Sequence, residues 1–391
     1  MKTLNKQMFL HYIYGKVNEY YMYKEYRMAP GDSYKEFRIS MTFSQLGLSE
    51  KHRSFYISLI RFASHFEVLI SLLVLIGRLF KSIWLTCSQK RVLIDNKKLI
   101  LNIPCRQVNT LFKKANIETK DICVVESPYC RNKLFENNWG NKIALHSNLT
   151  IKEVFSAFLL GCKMTVCLKQ KYGSRDCMFR SYSSFEYFLC YYFFKKLNPS
   201  NTVYFVSTND RWTYLFGHLE NKTVFIQHGA LNKNKVLFIM STVGKADEGY
   251  YFDQIQRSIC NKYMFSNTPK DFYFTKMEFT ANEKLLNNGK KHILLVCELI
   301  YFYKEKQIIE EISATNKYNL YVKPHPQNNP IRYKELQDTF DFVLLGKFDL
   351  PAVDYVISYD STLVLEYQGR GVKTLMYEDP DYETEYKALL V

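Results

Sequence analysis

The sequence lacks the cysteine patterns that stabilise small secreted domains or bind zinc. Its 10 cysteines include no C-x-x-C pair and no Cys/His cluster at zinc-ligand spacing, so neither a disulfide framework nor a structural metal site is expected. The start of the chain shows no cleavable signal, and the sequence contains no internal repeat and no low-complexity segment. These absences predict a folded protein with reduced thiols in the cytoplasm, without a metal ion or cofactor.

No run of basic residues and no known nucleic-acid-binding motif occurs, although the chain is basic. The 53 Lys and Arg against 38 Asp and Glu give a net charge of +15, which attracts anionic partners of several kinds. Nucleic acid, an anionic membrane surface and phosphorylated or acidic-sugar substrates all satisfy this charge. Because the basic residues are dispersed, we predict no nucleic-acid partner; salt-dependent DNA binding would reverse that prediction.

Length and pattern predict an α/β protein with two domains. A chain of 391 residues most naturally forms two domains. Apolar segments typical of strands (122–125, 142–145, 164–168, 202–206 and 223–226) alternate with helical segments (151–160 and 184–196), which indicates helices packed on a mostly parallel sheet. The stretch 292–377 reads strand, helix, strand, helix, strand, turn, strand, helix, strand. A linker at 287–291 divides the predicted domains into 1–289 and 290–391.

The most apolar run lies at 66–85 and allows two interpretations. Glu67, Arg78 and Lys81 interrupt it, and its uncharged core is shorter than the ~20 residues that span a bilayer. A helix lying in the membrane interface is one interpretation, because basic residues flank the run and Trp84 is close by. These flanking residues are Arg78, Lys81, Lys90 and Arg91. A buried core helix is the other interpretation, and the pattern does not choose between them.

Gln227-His228-Gly229 follows the predicted strand 223–226. A His followed by Gly at the carboxyl end of a strand is placed to face a ligand, since glycine allows a sharp turn and a close approach. Because the ordinary pKa of histidine is about 6.5, the imidazole of His228 could act as a general base on a hydroxyl group. The alternative for a lone histidine is a structural role in a buried turn.

Two further motifs follow strands of the stretch 292–377. In Lys323-Pro324-His325-Pro326, the two prolines fix the loop, so that Lys323 and His325 can be aimed at a phosphate group. Ser361-Thr362 begins a helix whose free N–H groups favour phosphate. Glu366 lies one position too far for a capping box, which leaves its carboxylate available to a ribose diol or an amine. A stiff turn and an ordinary helix cap are the structural alternatives.

Taken together, the three motifs resemble the signature of GT-B-fold transferases that build bacterial surface polysaccharides. CDP-glycerol glycerophosphotransferases carry a His-Gly, a Pro-His-Pro and a Thr-Asp-Tyr-Ser-Ser-type motif in this order, and bacterial sialyl- and polysialyltransferases are similar. The resemblance implies two Rossmann-like domains facing a cleft. It also implies that His228 stands near the reacting centre in a loop with Gln227 and Gly229. It implies as well that His325, Ser361 and Thr362 contact the nucleotide phosphate. Together with Lys323, Pro326 and Glu366 from the motifs above, they form the predicted donor-binding set.

The sequence departs from the sialyltransferase pattern at the first motif. Those enzymes place an acidic pair plus Gly where this chain has Gln227-His228-Gly229. Asp247-Glu248-Gly249 lies just downstream, but no strand pattern precedes it. We interpret this triplet as a solvated turn or helix start, with the catalytic acid pair as the alternative.

The leading hypothesis is a metal-independent, inverting glycosyltransferase that works in the bacterial cytoplasm at the inner membrane. It transfers a sugar from a CMP- or CDP-linked donor to a glycan or lipid-linked glycan acceptor of the capsule or lipopolysaccharide, with peripheral contact to anionic lipid. The alternatives are a CDP-alditol phosphotransferase, an enzyme like UDP-sugar 2-epimerase, and a non-catalytic scaffold.

Overall fold

The structure is a computed structural model that describes most of the chain as two compact units. The first unit contains the described residues up to Phe274 and the second those from Asn288 onward. The described residues are 6–16, 39, 52–102, 108–129, 139–172, 182–207, 211–229, 244–274, 288–298, 301–325, 331–346, 349–359, 361–377 and 379–391.

The first unit is built on a sheet of seven parallel strands in the order β3-β2-β1-β4-β5-β6-β7. The strands are β1 (Lys98–Leu101), β2 (Ile122–Glu126), β3 (Lys142–Ala144), β4 (Thr202–Ser207), β5 (Lys222–Gln227), β6 (Glu248–Tyr251) and β7 (Lys270–Tyr273). The helices are α1 (6–16), α2 (Arg53–His65), α3 (Glu67–Ser88), α4 (Val108–Lys114), α5 (Ile151–Tyr172), α6 (Ser183–Phe194), α7 (Arg211–Phe216) and α8 (Gln254–Tyr263).

Alternation along the strands gives this sheet a core on each face. Leu99 and Leu101 of β1 pack into the larger core, whereas Ile100 packs into the smaller core on the opposite face. A parallel sheet needs both faces covered. Helix α6 covers the larger core and is itself buried along almost its whole length, so α3 and α5 form a further layer in contact with that core and with each other.

Local sequence signals explain where two of the helices begin. Thr150 and Glu153 form a capping box before α5: the Thr150 N–H donates to Glu153 Oε2 at 2.8 Å, and the Glu153 N–H donates to Thr150 Oγ1 at 3.3 Å. Asp253 caps α8 by accepting the N–H of Gln256 at 2.7 Å. In both cases the cap satisfies backbone donors that the first helical turn leaves without a partner.

The second unit is a five-stranded parallel sheet in the order β10-β9-β8-β11-β12. Its strands are β8 (Lys291–Val296), β9 (Tyr318–Lys323), β10 (Val343–Leu344), β11 (Tyr355–Ser358) and β12 (Lys373–Met376). Its helices are α9 (Phe302–Thr315), α10 (Ile331–Gln337), α11 (Thr362–Gln368) and α12 (Tyr382–Leu390). Ile293 and Leu295 face one core and Leu294 and Val296 the other.

The predicted fold class, α/β with parallel sheets and flanking helices, is confirmed, and the order of elements in 292–377 is the predicted one. Three local predictions are wrong. Segment 164–168 belongs to helix α5 and is no strand, because the apolar positions of α5 continue at helical spacing through Leu168. Glu248 begins strand β6, whereas a turn or helix start was expected. Strand β1, which is central in its sheet, was not anticipated.

A close pair of histidine rings predicts that the first unit loses stability in acid. The rings of His11 in α1 and His218 after α7 lie 3.9 Å apart, with Tyr14 and Tyr214 also facing His11. Burial, followed by the charge of His218, lowers the pKa of His11 to about 3. Below the unfolded pKa of about 6.5, the unfolded chain binds a proton that the folded protein excludes, so the free energy of unfolding falls by roughly 2–4 kcal/mol as pH drops from 7 to 4.

We expect His11→Phe to flatten this acid-side loss, measured as the urea midpoint from the fluorescence of the neighbouring buried Trp212 at pH 7 and 4.5. The control is His65→Phe, which changes an exposed histidine on α2 and should keep the wild-type dependence. An unchanged pH dependence in His11→Phe would contradict the assignment.

Candidate functional site

The second unit brings the ends of three strands into one row at the carboxyl edge of its sheet. Lys323 of β9 is in register with Val296 of β8, and Val296 is in register with Ser358 of β11. Ser358 Oγ also donates to the carbonyl of Val296 at 2.9 Å. Residues that leave the sheet after this row therefore leave at the same level. The strand order reverses at β8, and such a switch point is where open parallel sheets bind ligands.

Lys323 is anchored to the loop that follows β10. Its Nζ donates to the carbonyls of Gly346, at 3.0 Å, and Asp349, at 2.7 Å. Burial lowers its pKa, against the opposing charge of Asp349. The structure therefore gives Lys323 a role in holding the end of β9 against the residues that follow β10, and its predicted contact with phosphate stays a prediction. His325 lies two residues further on and is half-buried, while Pro326 lies outside the described residues.

Ser361 sits between β11 and helix α11. Its Oγ accepts the N–H of Leu363 at 3.3 Å, the local contact of an ordinary cap. A hydroxyl that accepts one hydrogen bond keeps its own O–H as a donor, so this contact is compatible with donation to a phosphate oxygen. Glu366 is half-buried one turn into α11. The side chain of Thr362 lies outside the described residues.

An aromatic pair and a buried carboxyl group surround the same edge. The rings of Tyr301 and Tyr359, which follow β8 and β11, stack with centroids 4.0 Å apart. Glu305 in the first turn of α9 is 1% exposed. Its carboxyl accepts the N–H of Glu298 at 2.6 Å and the hydroxyl of Tyr333 at 2.7 Å. These contacts join the start of α9 to Glu298, just after β8, and to Tyr333 of α10. Sequence reasoning missed them.

In the first unit, Gln227 holds the loop that carries His228. Gln227 is fully buried, and its Nε2 donates to the carbonyl of Gly229 at 2.9 Å and to Gln256 Oε1 at 2.7 Å. Its Oε1 accepts the N–H of Phe252 at 3.3 Å. Gln227 is thus a positioning residue for His228 and Gly229. These two residues follow β5 at the carboxyl edge of the sheet, and the imidazole of His228 is half-buried.

Asp247 and Glu248 lie at the opposite edge of that sheet from His228. Asp247 Oδ2 accepts the N–H of Thr223 at 2.7 Å and its hydroxyl at 3.2 Å. Glu248 pairs with Lys222 at 2.6 Å. Thr223 and Lys222 begin β5, whereas His228 follows its last residue. The structure does not bring the acidic pair together with His228. It assigns both acids to the alignment of β5 and β6.

A buried polar cluster follows strand β2. Ser127 Oγ donates to Glu186 Oε1 at 2.6 Å, and Glu186 is 3% exposed. Burial raises the pKa of Glu186, against the hydrogen bond from Ser127 and the charges of Arg211 and Arg78. The Arg78 guanidinium lies 4.5 Å from the ring centroid of Tyr129. An arginine within the apolar run was the signal, but sequence reasoning placed it among the flanking basic residues. Within the described ranges, no group of three or more His, Cys, Asp or Glu is arranged to hold a metal ion.

No protein-family model and no curated protein matches the sequence. Solved structures with a similar fold include the spinosyn rhamnosyltransferase SpnG, at 8% identity and a TM-score of 0.38, covering 75% of this chain and 84% of that one. UDP-N-acetylglucosamine 2-epimerase from Rickettsia bellii is similar at 10% identity and a TM-score of 0.39, covering 72% of this chain and 79% of that one. The O-GlcNAc transferase of Thermobaculum terrenum is similar at 12% identity and a TM-score of 0.32, covering 77% of this chain and 58% of that one. Similarity of this degree assigns neither a family nor an activity.

The role of Gln227 predicts a loss of stability when its amide is removed. In Gln227→Leu, the N–H of Phe252 and Oε1 of Gln256 lose buried partners, which should lower the free energy of unfolding by about 1–3 kcal/mol. Urea denaturation measures this change. Gln170→Leu, which alters an exposed glutamine of α5, is the control and should stay within ~0.5 kcal/mol of wild type. Equal effects in the two variants would refute the positioning role.

Glu305 predicts a pH dependence of the opposite sign in the second unit. Burial raises its pKa to about 7, although the hydrogen bonds from Tyr333 and Glu298 oppose the rise. Between about pH 4.5 and 7 the folded protein keeps a proton that the unfolded chain has released, so stability falls by roughly 2–3 kcal/mol as pH rises.

Glu305→Gln should remove this loss, because the amide stays neutral and can contact both Glu298 and Tyr333. Urea midpoints at pH 5 and 7.5 test it against Glu310→Gln, an exposed change on the same helix. The same slope in both variants would show that Glu305 is not the titrating group.

Proposed function

We propose that the chain is a GT-B-type glycosyltransferase that moves a sugar from a nucleotide-sugar donor to a bacterial surface glycan. The observation that supports this most is the register of Lys323, Val296 and Ser358 across β9, β8 and β11. It brings the turns carrying His325 and Ser361 out on the two sides of the central strand, at the switch point of a parallel sheet. That is where a nucleotide phosphate would be bound.

In the proposed reaction, the second unit holds the donor and the first supplies the base. His325 and the Ser361 hydroxyl donate hydrogen bonds to the donor phosphate, and Tyr301 and Tyr359 border the same edge. His228 removes the proton of the acceptor hydroxyl. The acceptor oxygen then forms a bond to the anomeric carbon, and the bond between that carbon and the phosphate oxygen breaks. Charge on the departing CMP or CDP is stabilised by the phosphate-binding residues. We propose inversion at the anomeric carbon without a metal ion, which requires only this single displacement.

Substitutions in the second unit should abolish donor binding, whereas substitution of His228 in the first unit should abolish only turnover. We expect CMP or CDP to raise the thermal midpoint of the wild-type protein, since a ligand that binds only the folded state stabilises it by about 2.7 kcal/mol at a hundred times its Kd. Ser361→Ala and His325→Ala should lose that shift. His228→Ala should keep the shift and lose sugar transfer to an acceptor.

The control for His325→Ala is His292→Ala, which changes a histidine at the amino end of β8, at the other edge of the sheet, and should keep the shift. UDP and GDP test which nucleobase the donor nucleotide carries. The proposal fails if none of the four nucleotides stabilises the protein, or if Ser361→Ala and His325→Ala respond like wild type. A phosphodiester product in place of a glycosidic bond would show a CDP-alditol phosphotransferase instead.

A further inference from the structure

A continuous apolar stripe runs along the exposed side of α2 and α3. Its members recur every three or four residues across both helices, and each is between 42% and 68% exposed. They are Phe55, Leu59, Phe62, Phe66, Leu69, Leu73, Ile76, Phe80 and Trp84. Monomeric soluble proteins rarely expose contiguous apolar surface on this scale, and such surfaces usually mark an interaction site.

Helix α5 widens this stripe. It exposes Ile151, Phe155, Leu159 and Val166, and it packs against α3 over the same core. The contact is close: a Cβ added at Gly161 of α5 would lie 3.3 Å from Leu75 Cδ2 of α3. Because the two helices lie side by side over one core, their outward faces are neighbours. The outward faces of α2, α3 and α5 are called the outer apolar surface below.

Helix α3 is long and apolar enough to cross a membrane, with a mean hydropathy of 2.0 over 18 residues. Its inward face argues against crossing. Ser71, Leu75, Leu79 and Ser82 are buried, and Ser82 Oγ contacts the hydroxyl of Tyr129 at 2.6 Å and His146 Nε2 at 3.0 Å. If α3 crossed a membrane, these polar contacts would have to break, and the polar side chain of Ser82 would have to lie in hydrocarbon.

Arg78 confirms the orientation of α3. Its guanidinium lies 4.5 Å and 4.6 Å from the ring centroids of Tyr129 and Tyr182, and its Nη1 atom is buried. The Arg78 charge, one of the three that interrupt the apolar run, is therefore directed into the protein. From Leu69 to Phe80, the exposed residues of α3 are apolar. Lys81 and Trp84 follow at the end of this face.

Charge around the outer apolar surface has one sign. In the described residues 52–91 and 151–170, the exposed charged side chains are basic, whereas Glu67 and Glu153 are half-buried. Glu153 also pairs with Lys196 at 2.6 Å. The exposed basic residues are Arg61, Lys81, Lys90, Arg91, Lys152, Lys163 and Lys169. Apolar side chains with a basic rim and a tryptophan suit an anionic lipid surface, where long basic side chains reach the headgroups.

We propose that the outer apolar surface docks on an anionic lipid bilayer, with α2, α3 and α5 lying in the plane of the interface. A second copy of the chain fits this surface less well, because pairing it with itself would bring two sets of basic side chains together without acidic partners. The inference is independent of the proposed sugar transfer, and its test uses no nucleotide or glycan.

Sedimentation with vesicles tests the proposal. The purified protein should bind vesicles of phosphatidylcholine and phosphatidylglycerol (70:30) at least roughly tenfold more tightly than pure phosphatidylcholine, since each basic residue near an anionic surface adds attraction. Leu73→Glu with Phe80→Glu should lower binding to the anionic vesicles roughly tenfold or more, because both side chains would have to enter the interface. Lys81→Glu with Arg91→Glu should remove the preference for the anionic lipid.

Ile255→Glu is the matched control: Ile255 is 71% exposed on α8, outside the surface, and the variant should bind vesicles like wild type. Far-ultraviolet circular dichroism shows that each variant is folded. Absence of vesicle binding, or equal binding by Leu73→Glu/Phe80→Glu and wild type, would overturn the proposal. So would self-association that the same variants abolish, which would identify a second copy as the partner. Resistance of the bound protein to extraction at pH 11 would overturn it in favour of a spanning helix.

Discussion

The nearly complete burial of helix α6 is the constraint on which the first unit depends. An α-helix at the surface of a protein normally keeps one polar face, but almost every residue from Ser183 to Phe194 is buried. One side of α6 can be satisfied by the sheet. The other side requires a second layer, and α3 and α5 supply it. This requirement fixes which face of α3 looks inward, so Ser82 and Arg78 meet polar and aromatic partners beneath it. The apolar outer face is what remains, and its exposure is a consequence of the same packing.

The two sheets use an aspartate in the same way at their amino edges. Asp247 precedes β6 and accepts the N–H of Thr223 in the neighbouring strand β5; Asp354 precedes β11 and accepts the N–H of His292 in the neighbouring strand β8, at 2.8 Å. In each case a carboxylate aligns a strand that follows a crossover with the strand it pairs with. The amino edges are thereby closed by side-chain contacts. The turns at the carboxyl edges carry His228, His325 and Ser361, in agreement with the general position of ligand sites in parallel sheets.

Much of the second unit could be predicted because local signals agree with the fold. Strand-length apolar segments, a helix of suitable length and a turn motif recur there in order. The first unit was harder. Segment 164–168 is apolar and rich in β-compatible residues, but capping at Thr150 and packing on α3 extend the helix through it. Strand β1 is short and follows a polar turn, and it is defined by pairing with β2 and β4, which are distant in sequence. The contacts of Gln227 and Glu305 likewise depend on residues that only the tertiary fold brings near, so composition and spacing could not reveal them.

The net charge of +15 does not say which surface of the protein is basic; the positions of the acidic and basic side chains do. Several acidic residues of the first unit are engaged in building it: Asp247 aligns strands, Glu248 pairs with Lys222, and Glu153 caps α5 while pairing with Lys196. Acids used in this way cannot neutralise lysines elsewhere. The exposed side of α2, α3 and α5 is basic around an apolar centre, even though the basic residues are scattered in the sequence. Dispersed lysines argue against a nucleic-acid tract, but on helices whose inward faces are fixed by packing they gather around one surface. The fold thus places positive charge that is dispersed in the sequence around one exposed apolar surface.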